Sequence, residues 1–514
     1  MFSRVYSGAI NGIDAYRIEV EVDCSGGMGQ INIVGLPDAA VKESQERVRS
    51  AIRACEFLMP SAKKWIVNLA PADVRKEGPF LDLPIAIGIL SASGHIASQQ
   101  LANYWMLGEL GLDGSVRSVS GVLPTAMACK ASGVTNIIVP EANAPEAALL
   151  DGINVYAVSH LKQVFNILTR ENSVNPFYSN SRELFRRSSE ALTQTLDFAD
   201  VKGQPKAKKA LMISAAGKHN VIMVGPPGAG KSMLAQRLPT IMPPLEFDEA
   251  LELTKLYSVA GQLKDKGGIV AQRPFRAPHH SASLAGLLGG GAWPRPGEIS
   301  LSHMGILFLD ELTEFSRAHL ESLRQPLETG EVTISRAQQT LTYPAGFLLI
   351  GACNPCPCGF KYDGNHRCTC TEYQANKYWS RLSGPILDRI DLHVPVRRPS
   401  HEELISLSSS TSTELMKLKV MRAVEMQKQR FPSGSFIFNS QLNQKQLRKY
   451  CVLDAESKEG LSSAAQRLSL SARGYDRILR IARTIADLDG SDLIMKSHLM
   501  EAISFRTGEM IKCA

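Results

Sequence analysis

The stretch Gly225-Pro226-Pro227-Gly228-Ala229-Gly230-Lys231-Ser232 decides how this chain is read. It fits the phosphate-loop spacing G-x-x-x-x-G-K-[ST]. The apolar run Asn220-Val221-Ile222-Met223-Val224 leads into it and reads as a strand, and Met233-Leu234-Ala235-Gln236-Arg237-Leu238 leads out and reads as a helix. The glycines let backbone N–H groups approach phosphate oxygens, and the helix start adds partial positive charge. In this reading Lys231 reaches the β- and γ-phosphates of ATP, and the Ser232 hydroxyl ligates Mg²⁺. A plain glycine-rich turn is the alternative. The agreement of strand, loop, Lys-Ser and helix weighs against it.

Further along, the apolar run Gly305-Ile306-Leu307-Phe308-Leu309 ends in Asp310-Glu311. Apolar strands often end in acids, so the pair gains its meaning from the phosphate loop upstream. Asp310 then holds Mg²⁺ through water, and Glu311 orients and polarises the attacking water. A third apolar run, Phe347 to Cys353, ends in Asn354-Pro355. An amide there can sense the γ-phosphate, although Asn before Pro is also a common turn residue.

The 514 residues are too many for one core, so two to four domains are expected. A hydrophobic content of 44% is that of a globular protein, and no apolar run reaches the length of a membrane span. The first residues lack a signal peptide's apolar core, so a cytoplasmic protein without a membrane partner is expected. The net charge of +7 permits nucleic-acid binding without arguing for it.

Residues 1–168 alternate short apolar runs with helical stretches: 65–69 and 137–139 read as strands, 39–54 and 83–92 as helices. Residues 169–196 are expected to be a linker, its polar centre at 170–180. Residues 197–399 show the strand–helix alternation of an α/β core. In 400–514 a Ser/Thr run at 408–413 reads as a loop. Helices are expected at 414–430, 441–449, 462–469, 471–488 and 494–505.

From Asp197 to Arg506 the chain resembles the AAA+ ATPases of the magnesium-chelatase-like branch. The matching runs include Asp200-Val201-Lys202-Gly203-Gln204, Arg273 to His280, Pro296 to Leu301 and Leu387-Asp388-Arg389-Ile390-Asp391. Nearly the whole chain is similar to the YifB/ComM family within that branch. The resemblance implies a central P-loop NTPase α/β domain and a C-terminal helical lid. It assigns Asn354 to sensor 1, Arg389 to the arginine finger that reaches a neighbour's ATP, and Arg473 to the sensor 2 arginine. It also implies a homo-hexameric ring. Either arginine, taken alone, reads equally as half of a surface salt bridge.

Thr329 to Thr342 holds two β-rich runs around Ser335-Arg336-Ala337 and reads as a hairpin. Its position resembles the pore-facing hairpin of helicase rings, where Arg336 would meet a DNA phosphate. A solvated Arg on an ordinary hairpin is the alternative. The Gly/Pro-rich segment Leu287 to Gly297 resembles the helix-2 insert of this branch, with Trp293 and Arg295 available to bases or backbone. A structural turn is equally open. His279-His280 has no chemical role derivable from sequence.

Five of the ten cysteines lie between 353 and 370. Cys356, Cys358, Cys368 and Cys370 form two Cys-x-Cys pairs, and four thiolates suit structural Zn²⁺. Cys353 and His366 are alternative ligands. Five reduced thiols on an insertion are the metal-free alternative.

Residues 1–168 also resemble the Lon proteolytic domain, an α+β fold of the ribosomal S5 domain 2 type. The matching stretches are Arg75-Lys76-Glu77-Gly78-Pro79-Phe80 and Leu107 to Val116. Phe80 and Leu123 fall where Lon has its Ser and Lys, so protease activity is not expected. The expected function is an ATP-driven, competence-related DNA motor, a hexameric helicase promoting branch migration. The alternative is a chaperone-like ATPase that remodels a protein or metal-insertion complex.

Overall fold

The computed structural model describes residues 2–27, 29–59, 63–72, 76, 78–170, 174–190, 196–263, 268–291, 294–336, 339–361, 363, 368–400, 402–403, 411–431, 437–467 and 470–506. They fall into two units. One comprises Met1–Leu192, Glu246–Gln272 and Ala337–Tyr343; the other comprises Thr193–Leu245, Arg273–Arg336 and Pro344–Ala514. Sequence order places the helix Phe247–Val259 within the ATPase core, but it packs with the first unit. The expected linker contains a helix, Ser181–Glu190, in which Glu183 pairs with Arg186 at 2.9 Å and Arg187 at 2.8 Å. Such (i, i+3) and (i, i+4) pairs support an otherwise polar helix.

The first unit is built on seven strands: β1 (Phe2–Asn11), β2 (Asp14–Gly26), β3 (Ile31–Val34), β4 (Lys63–Ala70), β5 (Tyr104–Met106), β6 (Asn136–Pro140) and β7 (Asn154–Val158). The sheet order is β3-β4-β2-β1-β5-β6-β7. A tight turn through Gly12, at φ +67°, joins the antiparallel β1 and β2. Its helices include α1 (Ala39–Ala54), α2 (Asp82–Ala92) and α3 (Val122–Ala131). Every residue of α2 is buried, as its apolar stretch from Leu83 to Leu90 requires. Its one acid, Asp82, is matched by Arg47 of α1 at 2.7 Å and by the Leu110 N–H at 3.2 Å.

Phe80 sits in the turn Pro79–Leu81 and Leu123 is buried at the start of α3. Neither can act as nucleophile or base. Leu123 packs with Leu149, Ala250 and Ile269. Its N–H donates to buried Glu146 at 2.7 Å, and burial holds that carboxyl above its ordinary pKa.

The second unit carries five parallel strands, β8 (Val221–Val224), β9 (Phe275–Arg276), β10 (Ile306–Leu309), β11 (Leu348–Cys353) and β12 (Leu392–Pro395). Their order is β9-β10-β11-β8-β12. Every residue of β8, β10 and β11 is buried, as expected of parallel strands covered on both faces. The helices α4 (Pro205–Gly217), α5 (Lys231–Ile241), α6 (Thr413–Gln429), α7 (Ala472–Leu488) and α8 (Lys496–Ser504) contribute to one core with this sheet. The expected helix at 462–469 begins earlier, as Ala455–Arg467. Of the Ser/Thr run, residues 408–410 lie outside the described residues, and Ser412 caps α6 by accepting from the Leu415 N–H. Among the described residues no helix is long and apolar enough to cross a membrane.

Candidate nucleotide-hydrolysis site

Because the strands run parallel, their C-terminal ends gather at one edge of the sheet. Ligands of open α/β sheets bind at that edge. The pairs Val224↔Cys353 and Leu309↔Gly351 put the ends of β8, β10 and β11 side by side. Three separated sequence motifs are thereby brought together.

The loop leaving β8 accepts only certain residues. A Cβ on Gly225 would lie 1.9 Å from the Val396 carbonyl oxygen. Gly228 and Gly230 have φ of +76° and +89°, where an L side chain is strained. The loop ends in α5, whose first residue is Lys231. The Lys231 ammonium donates to the carbonyls of Gly225 (2.6 Å) and Pro226 (3.0 Å) and to Asn354 Oδ1 (3.1 Å). Burial lowers its pKa, opposed in turn by Cys353, Asp310 and Glu311. Ser232 Oγ donates to Asp310 Oδ2 at 2.7 Å, so the two groups expected to hold Mg²⁺ are adjacent. The set fits the ion: a hydroxyl and a carboxylate are hard oxygen donors, and Mg²⁺ commonly takes few protein ligands. Bound there, it would neutralise charge on the phosphates.

Glu311 adopts φ +50°, ψ +48°, a left-handed conformation unusual for Glu and often found at functional positions. Its side chain is exposed, and its Oε2 lies 3.4 Å from His280 Nδ1. The His280 ring is held on two sides. It packs on His279 with centroids 4.1 Å apart, and Phe315 meets it edge-on at 6.4 Å. The sequence alone leaves the histidine pair without a role. The link to Glu311 is visible only once β9 and β10 are neighbours, and no local pattern signals it.

Arg389 and Arg473 are not at this edge. Both line a cavity of about 590 Å³ that also includes Lys218, Glu328, Asp388 and Arg477. Arg389 pairs with Glu328 and donates to the Pro385 carbonyl at 2.7 Å. The Asn220 amide donates to the Arg389 carbonyl at 3.0 Å, and the Leu392 N–H donates to the Asn220 carbonyl at 3.0 Å. Asn220 precedes β8 and Leu392 opens β12, so Arg389 lies at the N-terminal end of the strands. The phosphate loop of the same chain is at the opposite end, about 13 Å away for four-residue strands.

Residues 197–404 match the family described as magnesium chelatase, subunit ChlI; residues 410–506 match its C-terminal part, and residues 20–143 match subunit ChlI of Mg-chelatase. An uncharacterized protein YifB of Salmonella typhimurium is 43% identical over 98% of this chain and 96% of its own length. Competence protein ComM of Haemophilus influenzae is 43% identical over 98% of this chain and 97% of its own. The chain belongs to the YifB/ComM family of magnesium-chelatase-like AAA+ ATPases. Lon protease 2 of Bacillus subtilis is 30% identical over 33% of each chain.

The Sγ atoms of Cys356, Cys358, Cys368 and Cys370 all lie within 4.8 Å of one another. Cys353 does not join them: its Sγ faces the Met223 carbonyl, and burial pushes its pKa to about 12. His366 lies outside the described residues. In the insert, Gly289–Gly290 pairs with Arg295–Pro296, and Arg295 is exposed. The expected hairpin forms a two-stranded sheet, Glu331–Arg336 with Gln339–Pro344. Insert and hairpin touch: a Cβ on Gly289 would meet Ile334 Cδ1 at 2.8 Å. Trp293 and the side chain of Arg336 lie outside the described residues.

Proposed function

We propose that this ATPase is a DNA motor that works as a homo-hexameric ring and drives branch migration during uptake or recombination of DNA. The observation that carries the reading is the contact between the insert at 289–296 and the strand Glu331–Arg336. The segment that resembles the branch's helix-2 insert thereby meets the strand that resembles a pore-facing hairpin, with exposed Arg295 on the insert. The similarity to a protein named for competence supports the biological setting. The finger and sensor 2 roles fit a ring as well, because Arg389 and Arg473 line a cavity at the start of the strands and the phosphate loop follows their other end. ATP and Mg²⁺ are the cofactors of the reading, and the four-cysteine cluster is a structural Zn²⁺ site.

The test is ATP-dependent strand exchange on a labelled four-way junction, set against the Lys231→Ala protein. DNA should stimulate hydrolysis, and binding should weaken steeply with salt as counterions leave the phosphates. Arg295→Ala combined with Arg336→Ala should remove the DNA stimulation and spare basal hydrolysis. Stimulation by a polypeptide with indifference to DNA would replace the motor with a protein remodeller.

His280 has a place in the hydrolytic reading as a positioning residue. An exposed glutamate samples several rotamers, and a fixed imidazole on one carboxylate oxygen leaves the other for the water. His280→Ala is expected to lower kcat about tenfold with nucleotide affinity unchanged, the scale of one hydrogen bond to a charged group. An unchanged kcat would remove His280 from the site.

A further inference from the structure

The cysteine cluster begins where the nucleotide site ends. Cys356 follows Asn354 by two positions, at the exit of β11. Its Sγ lies 3.4 Å from Cys358 Sγ and 3.7 Å from Cys368 Sγ, and Cys358 and Cys368 are 3.5 Å apart. Thiolates at the corners of a zinc tetrahedron with 2.3 Å bonds stand about 3.8 Å apart. The Cys358 N–H donates to Cys370 Sγ and the Lys361 N–H to Cys356 Sγ, each at 3.4 Å. Such donors orient thiolate ligands.

The turn these bonds close leans on the phosphate loop. The Gly359 N–H donates to the Cys356 carbonyl at 2.9 Å. Gly359 itself has φ +84°, and a Cβ there would lie 2.7 Å from Pro227 Cδ and 3.9 Å from Asn354 Cγ. Next to it, the Phe360 ring lies under the Arg398 guanidinium at 5.6 Å. The same guanidinium donates to the Pro227 carbonyl at 3.1 Å. The turn therefore touches the phosphate loop twice, directly through Gly359 and through Arg398. On its other side the Trp379 indole N–H donates to the Pro355 carbonyl at 2.9 Å and fixes the strand exit.

We propose that the four cysteines hold one Zn²⁺ and that the metal-loaded turn is a latch on the phosphate loop, so that zinc occupancy sets the nucleotide affinity of the same subunit. The inference rests on the nucleotide-site reading above. Without a metal, only weak thiol contacts and the N–H donors to Cys356, Cys370 and the Cys356 carbonyl hold the turn, and its closure is weakened. Metal-binding energy is then folding energy for the turn. Coupling between two sites is reciprocal: if zinc strengthens nucleotide binding, nucleotide must strengthen zinc binding by the same factor.

The experiment uses the full-length protein, purified without a metal-binding tag. Elemental analysis should find about one zinc per subunit. The zinc affinity, read by equilibrium competition with a chromogenic chelator, should rise about tenfold when ATP saturates the protein. Gly359→Ala keeps all four cysteines. It should keep the zinc yet bind a fluorescent ATP analogue about tenfold more weakly. Cys368→Ser with Cys370→Ser should lose the zinc and show the same loss of affinity, with circular dichroism reporting that the chain stays folded. Absence of zinc from the unaltered protein overturns the metal site. Zinc affinity that ignores ATP, or unchanged ATP affinity in either Gly359→Ala or the zinc-free double variant, overturns the latch. Failure of the unaltered protein to bind ATP overturns the nucleotide-site reading, and the latch with it.

Discussion

Glu311→Gln is expected to bind ATP about as well as the unaltered protein and to hydrolyse it about 10²–10⁴-fold more slowly, the usual worth of a positioned general base. The amide is the same size as the carboxylate, so the left-handed backbone at Glu311 and its contact with His280 are little disturbed. What disappears is the charge that polarises the water. Lys231→Ala should behave differently. Lys231 is buried among carbonyls and the Asn354 amide, and its loss removes the phosphates' main point charge. Nucleotide binding itself should therefore fail. Measuring Kd with a fluorescent analogue and kcat by phosphate release separates the two variants. Near-normal hydrolysis by Glu311→Gln would take the base role away from this residue. His280 would then have no water-polarising group to position.

The parts of this site that are contiguous in the chain are legible in the amino-acid sequence alone. The phosphate loop, the acids after β10 and Asn354 after β11 each combine an apolar strand with a polar ending, and period and residue type suffice to find them. Helices with a strong apolar stripe are equally plain, with 39–54 matching Ala39–Ala54. Features that depend on tertiary placement are not legible. Nothing in the run Phe247–Val259 says that its buried face, including Ala250, packs with Leu123 and Leu149. An amphipathic helix records that it has a partner, but not which one. The Cys ligand set stays open in the sequence for the same reason. Cys353 and Cys356 have the spacing of a zinc knuckle, but strand β11 turns the first thiol into the core before the chain leaves the sheet. In the sequence Gly359 is one more loop glycine. Its close approach to Pro227 comes from two loops meeting at a sheet edge, which no local pattern encodes.

The arginines give the other large expected effect. Arg389→Ala should lower ATP turnover about 10³–10⁵-fold, as loss of a finger supplied in trans does elsewhere, while leaving nucleotide binding intact. The reason lies in the sheet. Asn220 ties the Arg389 backbone to the start of β8, and the phosphate loop follows the other end of that strand. An arginine so anchored cannot serve its own ATP, and Arg473 shares its cavity. The role can be tested by mixing subunits. An Arg389→Ala subunit retains a complete phosphate loop, and a Lys231→Ala subunit retains a complete finger. Each variant alone should be nearly inactive. In a co-assembled mixture, random placement joins an intact loop to an intact finger at about a quarter of the interfaces of a closed ring. Hydrolysis should reappear on mixing and follow that proportion as the ratio is varied. The control mixes two variants defective in the same interface element, Lys231→Ala with Glu311→Gln, where intact sites should not form. Mixtures of Arg389→Ala and Lys231→Ala that co-assemble but remain inactive at every ratio would show that Arg389 does not act across an interface. The cavity shared with Arg473 would then have to serve something other than a neighbour's nucleotide.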